Sequence, residues 1–471
     1  MPLTLSRNPQ TKQRIRGVKA RRRTELGLLV FASLIIVATY TLMVLGNTKK
    51  LPSDSVPLLI LMLVLAAVAH MANRVLAPNA NAAILPIAFL LNGIGYTMIV
   101  RLDLYFTPQT HYAPLQATWT AVGVGAYVLT LFVVRRSRDL DRYRYLLLVG
   151  GVGLLLLPLV PHLGANINGA RLWVHVGSLE FQPVELAKIV LCIFFASYFA
   201  EKRELLTIPT ARLGNRLIVD PRPLVPIALA WVFAIGVMSL EHDIGFSALL
   251  FTLFIALLWV TTGRTGYLVL GIVLFGIGAY ISGRYFAQTH IRIETWLDPW
   301  KILPNDPGYQ LRQAWYSLGS GGIGGSGLGL GAPGTIPNAN TDFIFAAIGE
   351  EMGLFGSTMV VVAFLLIVGA GLRAAQSAKS EFSKLAATGL TVIIGFQAFF
   401  IIGGVVRLLP LTGITLPFVS YGGSALIANY ILIALLMRIS DEGATTVDTA
   451  EREQFEKNEE TRRALLAGPR G

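Results

Sequence analysis

Apolar stretches of about 16–22 residues alternate with short polar segments along most of the chain. As helix, each matches a bilayer core about 30 Å thick. The pattern predicts membrane-spanning helices at 26–46, 56–73, 83–100, 115–134, 145–161, 184–200, 223–239, 244–261, 266–283, 354–372, 387–406 and 421–437. Leu240–Asp243 is all that separates the seventh and eighth, so a tight turn is expected there. The segment from about Arg284 to Thr341 breaks the rhythm as the one large extramembrane element, and residues 1–24 and 441–471 read as polar tails.

Composition agrees with this reading. Of 471 residues, 54% are hydrophobic and 14% charged, where a soluble protein carries about 25% charged residues. Mean hydropathy is +0.61. The net charge of +12 does not indicate nucleic acid, because the cations follow membrane topology. They gather in the N-terminal tail (Arg7 to Arg23), in Arg135–Arg144, in Lys202–Arg222, in Arg373–Lys384 and in the C-terminal region. Those segments share one side of a twelve-span chain. The opposite side is sparse in cations, with Arg101, Arg171 and Arg407 among the few. The positive-inside tendency then places both termini in the cytoplasm. The basic N-terminal tail is expected at anionic headgroups. The single cysteine, Cys192, excludes an intramolecular disulfide and a cysteine metal site, and the six histidines lack HExxH spacing.

Candidate chemistry concentrates where charge meets apolar sequence. Asp342, Glu350 and Glu351 fall in a strongly apolar run that leads into a span. A carboxylate at membrane depth is costly and faces a partner, a cation or a watery cavity. The alternative for Asp342 is helix capping. Glu350 and Glu351 are candidates for a divalent cation or for helix-to-helix hydrogen bonds. Lys188 lies inside a span and needs a counter-charge, with Glu185 three residues back on the same helical face. Upstream of Asp342 runs a glycine-rich segment, Gly319 to Gly334, preceded by Trp296, Trp300, Tyr309, Trp315 and Tyr316. Glycine runs usually form flexible loops, while these aromatics favour the membrane interface. The expected arrangement is a loop lying against the outer leaflet.

Several segments in order resemble the SEDS family (shape, elongation, division and sporulation). They are Asn168–Gly169–Ala170–Arg171–Leu172–Trp173, Phe181–Gln182–Pro183–Val184–Glu185–Leu186–Ala187–Lys188, Asp243–Ile244–Gly245, Gly308–Tyr309–Gln310, Thr341–Asp342–Phe343–Ile344–Phe345, Gly349–Glu350–Glu351 and Leu416–Pro417–Phe418–Val419–Ser420–Tyr421–Gly422–Gly423–Ser424. The likeness covers roughly residues 83–438. Two N-terminal spans beyond the ten shared by the family resemble the RodA branch of actinobacterial type, with the FtsW branch as the alternative. Departures are Glu241–His242 before Asp243, Phe246–Ser247 after it, and Asn340 in place of a histidine before Thr341.

The resemblance implies an all-α polytopic membrane protein: a tail (1–24), two extra helices (25–82), a catalytic transmembrane unit (83–440) with a large extracytoplasmic loop (285–341), and a second tail (441–471). It implies an inverting peptidoglycan glycosyltransferase that polymerises lipid II at the outer face of the bacterial plasma membrane and releases undecaprenyl pyrophosphate. Asp342 would be the catalytic base. Lys188 and Asp243 would form a pair lining the cavity, with Arg171, Trp173 and Arg407 contacting substrate. Mg or Mn is a candidate cofactor and a class B penicillin-binding protein a partner. Competing readings are a division polymerase of FtsW type, a lipid II flippase, and a scaffold without catalysis.

Overall fold

The computed structural model describes residues 9–48, 55–105, 112–161, 163–167, 170–176, 179–207, 209–213, 216–219, a few positions between 222 and 236, 244–301 and 306–466. Thirteen α-helices are described: α1 (Pro9–Thr48), α2 (Ser55–Leu76), α3 (Ile84–Tyr105), α4 (Tyr112–Val133), α5 (Arg144–Leu156), α6 (Val184–Thr207), α7 (Ile244–Thr262), α8 (Thr265–Tyr285), α9 (Ala287–Leu297), α10 (Gly308–Gly321), α11 (Ile344–Gln376), α12 (Glu381–Val405) and α13 (Gly423–Leu466). Among the described residues, ten helices are long and apolar enough to cross a membrane. Helix α6 is as long but carries Glu185, Lys188 and a charged end from Glu201 to Glu204. The seventh expected span and the Leu240–Asp243 turn fall largely outside the described residues. The chain is a multi-pass membrane protein.

Two regions expected as plain loops hold strands. A three-stranded antiparallel sheet joins β1 (Gly164–Ile167), β2 (Ala170–Val176) and β3 (Leu179–Phe181), and a hairpin joins β4 (Pro209–Leu213) to β5 (Arg216–Val219). In β2 Leu172, Val174 and Val176 alternate with polar or aromatic residues, and Val174 is buried. That is the period-two signal of a half-buried strand. The expected tails are also more ordered than a polar composition suggests. Helix α1 begins at Pro9 and α13 runs to Leu466, because neither junction contains a proline to stop it. Arg22, expected at headgroups, is buried and bonds Glu25 and the Ala80 carbonyl instead.

The core is a bundle in which α13 packs along α4, α11 along α12, and α6 against α5, α7 and α12. Helix α3 lies between α1, α4 and α11 and is almost entirely buried. At the other extreme, α8 exposes most of its apolar surface, including Ile272, Tyr280 and Tyr285. Such a helix belongs against lipid. The described residues between α8 and α11 are structured: α9 packs on α8, α10 packs on α11, and the glycine-rich run folds back onto α11.

Candidate active site

Asp342 sits two residues before α11, in an irregular turn. The turn is closed by Thr341 N–H and Phe343 N–H donating to the Asn338 carbonyl at 3.1 and 3.2 Å. Asn338 has a positive φ of 57°, which asparagine tolerates better than most residues. Phe343 and Ile344 anchor the turn in the core. Asp342 does not cap the helix, since the cap position is Phe343 and no side chain serves it. No hydrogen bond to the Asp342 side chain is recorded among the described residues. The residue keeps part of its surface open, yet protein encloses its carboxyl enough to push the pKa up to about 6, with Arg292 the opposing charge. A carboxyl of this kind is a stronger base than an ordinary aspartate near pKa 3.9.

Arg292 was not a sequence candidate. It projects from α9 and is held by the carbonyls of Thr412 (2.8 Å) and Leu411 (3.4 Å). It also lines a cavity of about 480 Å³ between α7, α8, α9 and the 409–412 segment. The other walls are mainly apolar, with Phe251, Phe275 and Phe400 among them. The arrangement therefore sets a cation at the edge of an apolar groove and next to the field of Asp342. The only signal in the sequence was an arginine within an amphipathic eleven-residue helix.

Lys188, one turn into α6, is buried. Its ammonium donates to Glu185 and to Gln397 Oε1 of α12 (2.8 Å) and lies 5.4 Å from the Phe246 ring. Gln397 Nε2 donates in turn to the Thr415 carbonyl (2.9 Å). Asp243, the expected partner, lies outside the described residues. Gln397 was missed because an uncharged amide in an apolar helix gives little signal.

Arg171 is placed by its backbone in β2, and its side chain lies outside the described residues. Trp173, also in β2, is half-buried and pairs across the sheet with Ala165. Arg407 has a φ of 64°. Its guanidinium donates to the carbonyls of Trp296 (3.0 Å) and Leu297 (2.6 Å) and lies 5.2 Å from the Trp315 ring. It thus satisfies carbonyls at the end of α9, a structural use of a cation at a helix C-terminus. Trp296 and Trp315 donate their indole N–H groups to the carbonyls of Arg407 and Val405. These tryptophans hold α9 and α10 to the end of α12.

Glu350 and Glu351 face the glycine-rich segment. Glu351 accepts from Arg101 Nε (2.6 Å) and Gly329 N–H (3.0 Å), while Glu350 Oε1 accepts from Ala332 N–H (2.8 Å). Arg101 was expected in an outer loop. It lies instead in the last turns of α3, buried, and also donates to the Gly331 carbonyl (2.6 Å). Three of the four carboxylate oxygens are thus engaged by protein donors, and Glu350 Oε2 has no partner among the described residues. No cluster of three metal-ligating side chains occurs among the described residues. The pair does not fit a divalent cation.

Ser420 lies three residues before α13, in the segment that leads into it. Its hydroxyl accepts from Leu416 N–H (2.9 Å) and donates to the Thr341 carbonyl (2.6 Å), and Tyr421 N–H donates to the Asn340 carbonyl (2.8 Å). The segment before α13 is thereby tied to the turn carrying Asp342.

Residues 81–445 match the model of the cell cycle protein family of FtsW, RodA and SpoVE. The chain is 40% identical over 425 residues to the peptidoglycan glycosyltransferase RodA of Mycobacterium tuberculosis, covering 89% of this chain and 90% of that protein. It is 40% identical over 424 residues to the protein of the same name in Mycobacterium leprae, with the same coverage. A probable peptidoglycan glycosyltransferase FtsW of Geobacter sp. is 35% identical over 298 residues, 62% of this chain and 77% of that one. Among solved structures, a chain from a peptidoglycan synthase complex that coordinates polymerization and crosslinking superposes with a TM-score of 0.61 at 24% identity. It covers 77% of this chain and 98% of its own. RodA of Thermus thermophilus superposes at 0.53 with 23% identity, over 77% and 96%.

Proposed function

Because the chain belongs to the FtsW, RodA and SpoVE family, we propose that it is a peptidoglycan glycosyltransferase of RodA type, an inverting enzyme that polymerises lipid II. The observation that carries this reading is Asp342: an enclosed carboxyl without a hydrogen bond among the described residues, in the field of Arg292, which edges an apolar groove.

Each part answers a need of the reaction. The acceptor sugar hydroxyl must lose a proton as it attacks the donor's anomeric carbon, and Asp342 takes that proton. The donor's bond to undecaprenyl pyrophosphate breaks, and the anomeric centre inverts once. Arg292 is placed to pair with pyrophosphate oxygens, for which a guanidinium offers paired donors. The apolar groove takes the polyprenyl chain next to the headgroup. Arg171 and Trp173 remain candidates for a second sugar or phosphate contact. No step is assigned to a divalent cation, since three of the four Glu350 and Glu351 oxygens are taken by protein donors.

The charge asymmetry of the loops supports cytoplasmic termini and an active site at the outer face. A class B penicillin-binding protein is the proposed partner, docking on the helices of the family unit and on the 284–341 segment. The RodA relatives match more of the chain than the FtsW relative does, which favours elongation over division.

Polymerisation of purified lipid II tests the reading. Asp342→Asn keeps the shape of the side chain but is a far weaker base. The expected loss is about 10²–10⁴ in rate, with lipid II binding and thermal stability retained. Robust glycan synthesis by purified Asp342→Asn would move the base elsewhere.

A further inference from the structure

The turn that carries Asp342 lacks the usual means of fixing a catalytic side chain. No donor among the described residues holds the carboxyl, and the residue caps nothing. Its position is therefore set by its own backbone. That backbone is irregular from Asn338 to Phe343, with two internal hydrogen bonds to one carbonyl. Further along the turn, the carbonyls of Asn340 and Thr341 are taken by Tyr421 N–H and Ser420 Oγ.

The Ser420 bond is the more demanding of the two. Leu416 N–H can only donate, so the hydroxyl must accept from it. The Thr341 carbonyl can only accept, so the same hydroxyl must donate to it. One group is needed that does both at 2.9 and 2.6 Å, and a hydroxyl is the side-chain group that does so at this size. Ser420 is 4% exposed, which leaves no room for bulk water to take over.

The segment around it is independently constrained. Phe418 has a φ of 65°, an outlier for a bulky residue, yet it is fully buried and packs edge-on against Tyr430 at 5.6 Å. Strained backbone of this kind persists where surroundings over-determine it. The 416–421 segment is thus a stiff brace, and its contact point is one residue before Asp342.

We infer that Ser420 is a positioning residue: its hydroxyl fixes the Thr341 peptide and so aims the Asp342 carboxyl at the acceptor hydroxyl. This rests on the reading of Asp342 as the base. Misplacement of a reacting group by about 1 Å can cost about 10²-fold in rate.

The test uses the full-length enzyme with lipid II and four variants: Ser420→Ala, Ser420→Cys, Ser420→Thr and Asp342→Asn. Turnover is normalised to folded protein, and kcat, KM and the pH dependence of kcat are measured. Ser420→Ala and Ser420→Cys are expected to lower kcat about 10–100-fold, leave KM within about twofold, and move the acid limb of the pH profile. Ser420→Thr is expected to restore most of the rate. Should the threonine methyl group prevent folding, the near-isosteric Ser420→Cys decides alone. A merely structural serine would lower stability while kcat per folded enzyme and the pH limb stayed put, and that result overturns the inference. The two ideas fail separately. An active Asp342→Asn removes the base, whereas an inert Asp342→Asn beside a fully active Ser420→Cys removes only the positioning role.

Discussion

A carboxyl works as a base only while deprotonated, so the raised pKa of Asp342 has a direct kinetic reading. At pH 7 a group titrating near 6 is mostly ionised and still holds a proton well. Below that value the protonated fraction grows, and kcat should fall about tenfold per pH unit. Arg292 pulls this pKa down against the effect of burial. Arg292→Gln should therefore move the acid limb to higher pH and also raise KM, as a pyrophosphate contact is lost. A pH series of initial rates for both proteins checks this, and an unmoved limb in Arg292→Gln would uncouple the two residues. Asp342 was legible in the sequence because an acid in an apolar run is costly without a purpose. Arg292 and Ser420 were not, because their roles come from carbonyls contributed by segments more than 75 residues away in sequence. Lys188 falls between these cases: its need for a partner was evident, with Glu185 the choice helical spacing offered and Asp243 the one the family resemblance favoured. Gln397, the link onward to the 412–415 segment, was invisible.

Among the elements, the glycine-rich run departs furthest from expectation. Glycine content alone suggests a flexible loop, and the aromatics before it favour one lying against the outer leaflet. The structure instead presses it against a break in α11, where Gly353 has a φ of 65°. Ser326 N–H and Oγ both donate to the Glu350 carbonyl at 2.8 Å, and Leu354 N–H donates to Gly322 at 3.0 Å. The glycines are there for close approach of backbones. A Cβ on Gly353 would lie 2.3 Å from Gly325 N, and one on Gly325 would lie 2.2 Å from the Glu351 carbonyl. Glycine count alone cannot separate a free loop from one packed on backbone, since both need residues without Cβ. The arginine and glutamate that clamp it, Arg101 and Glu351, were both visible, but 250 positions apart with no periodicity to connect them. Gly353→Ala combines a positive φ with a backbone clash, so a loss of about 1–3 kcal/mol is expected. Hydrogen exchange should accelerate at Ser326, Gly327 and Leu354, whose amides bond across this break. Unchanged protection at those three amides would mean the run is held by something other than α11.

Across the whole molecule, the periodicity of apolar runs gave the helical bundle and most of its spans, because lipid leaves the backbone few alternatives to helix. What it could not give is why two helices outside the family unit are present. The match begins at residue 81, yet α1 and α2 are tied into the unit at both ends. At one end Glu25, fully buried, accepts from Arg22 and Asn73 and meets His70, and Tyr127 of α4 donates to Asn73. Arg438 of α13 donates to the Leu76 carbonyl at 2.7 Å. At the other end, α1 reaches the glycine-rich run: a Cβ on Gly46 would lie 2.2 Å from the Leu328 carbonyl. Helix α1 therefore spans from the Glu25 network to the segment clamped by Glu351. The two ends should respond differently. Glu25→Gln leaves Arg22 buried without its counter-ion, so thermal stability should fall by about 3–5 kcal/mol while turnover of the folded fraction holds. Gly46→Leu leaves that network intact but displaces Leu328, and with it Gly329, whose N–H holds Glu351. The displaced backbone should cost some thermal stability, and polymerisation per folded enzyme should drop severalfold as well. If Gly46→Leu is fully active while Glu25→Gln is merely unstable, α1 is an anchor alone, and the glycine-rich run does not depend on it.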